Sequence, residues 1–97
     1  MNYKYREGRI IDSIQVKQRE IDAYKSMIDS LLVKLESARA DFEFNASRGK
    51  DTRKDEGAIM YYAGLIDKYR TRIEKSNRKL DVLFTKLDNL SKKLNAK

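Results

Sequence analysis

Residues 59–94 read IMYYAGLIDKYRTRIEKSNRKLDVLFTKLDNLSKKL. Taking every third or fourth residue gives Ile59, Tyr62, Ile66, Tyr69, Ile73, Ser76, Leu80, Leu83, Leu87, Leu90 and Leu94. The steps alternate three and four without a slip, and Ser76 alone in this ladder is neither apolar nor aromatic. An α-helix drifts slowly against such a heptad spacing, so these side chains form one continuous seam. A seam of that length needs another helix to cover it.

The cover is found earlier in the chain. Ile10, Ile14, Lys17, Ile21, Tyr24, Ile28, Leu31, Leu35, Ala38 and Phe42 make a second ladder of the same kind. Lys17 is its one interruption, and the aliphatic stem of a lysine can lie along a seam while the ammonium reaches water. No Pro or Gly breaks residues 9–48, and strong helix formers dominate them. The pattern then stops. Residues 45–57 hold no large apolar side chain, contain Gly49 and Gly57, and are rich in turn and capping residues. Asp51 or Thr52 suits the cap of a second helix, with Asp55 and Glu56 favourable in its first turn.

The spacing therefore predicts one all-α domain over residues 1–97, an antiparallel two-helix hairpin. Its helices are expected at about 5–44 and about 58–95, with a polar turn at about 45–57. Folding the chain about residue 52 sets Phe42 opposite Tyr62, Leu35 opposite Tyr69 and Ile10 opposite Leu94. Both ladders run out together in that register. One long self-associating helix is the alternative, and the polar centre with its two glycines speaks against it.

Composition agrees with this architecture and narrows the function. The chain is 38% charged and has no Pro, Cys, His or Trp, as a coiled-coil composition does. Without Cys and His there is no disulfide framework, no thiolate metal site and no imidazole base. No apolar run reaches the length of a membrane span. The N-terminal segment lacks the apolar core of a signal peptide. The expected location is the cytoplasm, or outside the cell by a route that needs no cleaved signal.

Carboxylates do occur in pairs, at Glu20/Asp22, Asp41/Glu43 and Asp55/Glu56. Two helices offer no concavity in which to desolvate them, so they read as surface ion-pair partners. No catalytic residue, metal, cofactor or small-molecule substrate is expected, and the chain is read as a non-enzyme.

What the hairpin leaves over points to partners. Ile11 and Leu32 flank the seam, and Val16, Met27, Val33, Tyr61, Leu65, Val82 and Phe84 fall on other faces. So many apolar residues off one seam suggest a second copy or another helical protein completing a four-helix bundle. The net charge of +7 is also unevenly spread: residues 1–44 hold eight basic and eight acidic residues, while residues 59–97 hold ten and four. Arg70, Arg72, Lys75, Arg78 and Lys79 lie within three turns of the second helix and could meet nucleic acid or an acidic partner. Asp67, Glu74 and Asp81 interrupt them, and the tyrosines on the seam are not free to stack on bases. Nucleic-acid association is therefore the second reading, as a small phage or plasmid accessory protein.

Phe84-Thr85-Lys86-Leu87-Asp88 adds a motif, Phe-x-x-x-Asp on the last helix of a short helical hairpin. In this the chain resembles the small helical proteins of type VII secretion, namely the Trp-X-Gly family and the helical partners of LXG effectors. The Trp-X-Gly turn of that family is replaced here by Ser47-Arg48-Gly49. The resemblance implies a non-enzymatic adaptor, targeting partner or chaperone-like subunit, with Phe84 and Asp88 read by the export machinery. Their i, i+4 spacing puts both on one helix face. Ile11, Leu32 and Val82 are the further candidates for partner contact.

Overall fold

The computed structural model describes residues 3–95. It contains two helices, α1 at Tyr3–Ser47 and α2 at Arg53–Asn95, and no strand among the described residues. They pack against each other as a hairpin, with two compact units.

The first unit joins Met1–Ala23 to Arg72–Lys97. Ile14, Ile21 and Leu80 are buried at its centre, and Ile10, Ile73, Leu83 and Leu87 pack around them. Each of these residues belongs to one of the two ladders. Lys17 is half-buried among them and sends its Nζ 3.0 Å to Glu20 Oε2, one turn along α1. The stem thus lies in the seam while the charge leaves it. Ser76 is buried too, and no buried side-chain polar atom among the described residues is left without a hydrogen bond.

The second unit is Tyr24–Thr71, which contains the turn. Leu31, Leu35, Ala38 and Ile66 are buried in it. The Tyr24 and Tyr69 rings meet at 5.8 Å between centroids, so Tyr69 does not sit opposite Leu35 as folding about residue 52 predicts. The turn between Ser47 and Arg53 is centred nearer residue 50, which shifts the pairing of the two ladders. Ladder residues at the turn end, Phe42, Ile59 and Tyr62, are half-buried.

The connection is shorter than the polar stretch from 45 to 57. Helix α1 runs on through Asn45, Ala46 and Ser47, and α2 already begins at Arg53, ahead of residue 58. The cause is hydrogen bonding at the helix ends rather than apolar burial. Gly49 has φ of 70°, a left-handed conformation that costs an L side chain strain but not glycine. It lets the Gly49 amide donate to the Ala46 carbonyl at 3.1 Å and the Lys50 amide donate to the Asn45 carbonyl at 2.9 Å. These two bonds close α1 and satisfy carbonyls that would otherwise be orphaned.

On the other side Asp51 Oδ1 accepts from the Arg53 amide at 3.0 Å. The Thr52 carbonyl accepts the first bond of α2, from Glu56 N at 2.9 Å. Asp51 and Thr52 therefore share the capping role, and Asp55 and Glu56 stand in the first turn. Asn45 Nδ2 then donates to Asp55 Oδ2 at 2.9 Å, tying the last turn of α1 to the first turn of α2.

Candidate functional site

Since the ladders are spent on the interior, whatever the chain recognises must meet the flanks. The side-chain direction on each flank follows from its offset to the seam.

Phe84 directly follows the seam residue Leu83, which turns its ring outward; it is 46% exposed. Asp88 lies one turn further on and is also exposed. Its Oδ2 lies 3.2 Å from Lys92 Nζ, an i, i+4 ion pair in solvent. A pair so exposed is worth little to folding, so Asp88 remains available to a competing cation. Between them Thr85 donates its hydroxyl back to the Asp81 carbonyl at 2.9 Å, so that donor is used within the helix. The five-residue motif thus presents an aromatic ring and a carboxylate.

Ile11 and Leu32 are only marginally exposed, at 37% and 39%, as suits positions beside a seam. Leu32 lies in the second unit, where it shares an open groove with Arg39, Ala63, Ile66 and Arg70. Leu65 departs from the expectation of an outward apolar residue. It is half-buried and, with Met27, Leu31, Lys34 and Tyr69, lines a groove on that unit. Val16, Val33, Tyr61 and Val82 are exposed as expected, together with Tyr5, Phe44 and Met60. Phe44 holds the Arg48 guanidinium 4.2 Å over its ring, an i, i+4 spacing visible in the sequence but not singled out there.

The cations Arg70, Arg72, Lys75, Arg78 and Lys79 are all exposed; Arg70 belongs to the second unit and the other four to the first. Arg70 belongs to the groove with Leu32. Arg78 leans toward Glu74 at 3.9 Å. Arg78 and Lys79 instead join Val82 in a groove of the first unit, completed by Ser13, Lys17, Leu83 and Lys86. In the sequence Val82 stands out as an apolar residue off the seam, and Arg78 and Lys79 stand out as cations. The signal that joins them is Lys86, because Lys79, Val82 and Lys86 stand at i, i+3 and i+7, the spacing of neighbours on one face.

Near the turn, Arg53 grips Asp51 through Nε at 3.2 Å and Nη2 at 3.0 Å. These side-chain bonds, and then the Arg53 amide, hold the Asp51 carboxyl below its ordinary value. Asp51 is thereby committed to the cap. Among the described residues no group of three or more acidic side chains converges to hold a metal ion. No described helix is long and apolar enough to cross a membrane.

No family model, curated protein or solved structure matches the chain. The functional reading therefore rests on its own residues.

Proposed function

We propose that the chain is a non-enzymatic protein–protein interaction module: an adaptor, targeting partner or chaperone-like subunit of a secretion-type complex. It works as a dimer or within a hetero-complex. The observation that carries this reading is the pairing of Phe84 and Asp88, both exposed and one turn apart on α2. A ring and a carboxylate offered together suit an interface in which an apolar pocket takes the ring and a cation takes the acid. The further apolar side chains outside the seam, Ile11, Leu32 and Val82 among them, supply area for a helical partner.

The test is export or docking by the full chain in its native host. Phe84→Ala and Asp88→Ala are expected to keep the helical circular dichroism and melting profile while the exported fraction falls by about tenfold or more. Normal export by both variants overturns the reading.

A second reading, nucleic-acid association, is favoured by the exposed cations Arg70, Arg72, Lys75, Arg78 and Lys79. Filter binding at two salt concentrations decides it. Phosphate contact demands a steep loss of affinity with salt, weakened by substitution of Arg70, Arg72 and Arg78. Against it stands the half-buried, paired state of Tyr24 and Tyr69, which removes two rings that bases could stack on.

A further inference from the structure

From the groove of the first unit, we infer that the Lys79–Val82–Lys86 row of α2 is a docking site for an acidic amphipathic helix of a partner protein. Two carboxylates of that helix, two turns apart, would frame one apolar anchor.

The row is built by spacing. Lys79 and Lys86 occupy the same phase of α2, two turns or about 10 Å apart along its axis. Val82 lies between them on the same face. The groove floor is apolar: Val82 is exposed there, and Leu83 beside it packs on the Ile14, Ile21 and Leu80 core. Lys17 of α1 and Arg78 of α2 stand at the rim.

Charge compensation is unequal around that rim. Glu20 engages Lys17 at 3.0 Å and Glu74 approaches Arg78 at 3.9 Å. Among the described residues no ion pair engages Lys79 or Lys86. Two uncompensated cations therefore bracket an uncovered apolar floor. A solvated lysine alone favours any anion, and an exposed valine alone favours any apolar surface. Their alternation along one helix face favours a ligand that alternates likewise, which an acidic helix does at i, i+3 and i+7. A nucleic-acid backbone would satisfy the lysines but leave Val82 and Leu83 without a partner, and no aromatic ring lines the groove to stack a base.

This inference rests on the chain being an interaction module and names the chemistry of one partner. Phe84 and Asp88 do not line the groove, so the two sites fail separately. The experiment titrates the full chain into a fluorescein-labelled helical peptide in which one Leu is framed by Glu three residues before and four residues after. Comparison probes are a polyglutamate of equal charge and a short DNA duplex.

Binding of the Leu-containing peptide is expected to be tighter than that of either comparison probe and to weaken with salt. The double reversal Lys79→Glu/Lys86→Glu should weaken it by about tenfold or more, and exchange of the peptide's Glu for Lys should restore it. Val82→Ser should weaken it without altering the salt dependence. Reversal of Lys25 and Lys68, which lie on the second unit, should leave it within about twofold.

Equal binding of polyglutamate, tighter binding of the duplex, or equal loss on reversing Lys25 and Lys68 each overturns the site. Absence of peptide binding overturns it as well, even where Phe84→Ala and Asp88→Ala abolish export. Intact peptide binding with normal export of those variants overturns the Phe84/Asp88 reading and leaves the groove standing.

Discussion

Leu80→Ala tests the packing from which every surface argument follows. Leu80 is 8% exposed at the centre of the first unit's core. Truncation to Ala removes three carbons, worth about 2 kcal/mol in transfer free energy. A cavity term adds to this, reduced because neighbours in a two-helix core can relax toward solvent. The expected cost is about 2–3 kcal/mol, near half the stability of about 5 kcal/mol at the low end for small domains.

Val33→Ala is the matched control. Val33 is 69% exposed on α1, and its truncation should change stability by no more than about 0.5 kcal/mol. Urea unfolding followed by helical circular dichroism, at the lowest workable protein concentration, reads both. The midpoint should fall for Leu80→Ala with an unchanged slope. A cost below about 1 kcal/mol for Leu80→Ala would refute the assigned core. An equal cost for Val33→Ala would refute the exposed status of that face and imply a covering partner or second copy.

Three further outcomes bear on two glycines and on the cap of α2. Gly49→Ala forces an L residue into φ of 70° with no atom within 4 Å of the added Cβ, so strain alone should cost about 1–2 kcal/mol. Gly64→Ala, inside α2 and equally unhindered, should instead stabilise by about 0.5–1 kcal/mol; opposite shifts in melting temperature check the pair. For Asp51, Arg53 lowers the carboxyl below 3.8, so the folded pKa lies under the unfolded one. Its contribution is present above that ordinary value and disappears as pH falls through the lowered one. A carboxyl NMR titration should show Asp51 returning toward its ordinary value in Arg53→Ala.

Most of the fold was legible because heptad phase determines side-chain direction. Every position of both ladders is buried or half-buried, including the two that break the apolar pattern, Lys17 and Ser76. The ends were less legible for a physical reason. Asn45 to Ser47 and Arg53 to Gly57 are helical without contributing large apolar side chains, so a pattern of burial misses them. Their signal lay in Gly49 as a left-handed terminator and in Asp51-Thr52 as a cap.

Surface features were legible only singly. Lys79, Val82 and Lys86 are visible as a row in the sequence, but their meeting with Lys17 depends on which flank of α1 faces them. That is a consequence of register. Leu65 turned inward for the same reason: a residue beside the seam is covered or bare according to the side chains opposite it.

The Asn45–Asp55 bond also has a kinetic consequence. It joins residues only ten positions apart, so forming that corner requires closure of a short loop at modest entropic cost. A chain without Pro has no prolyl isomerisation to wait for, and one without Cys has no disulfides to reshuffle. Tyr24–Thr71 has its closest pairings in sequence and is placed to nucleate, with the pairings of greater separation added afterwards. Refolding from denaturant should accordingly be a single fast phase, with no component on the timescale of seconds.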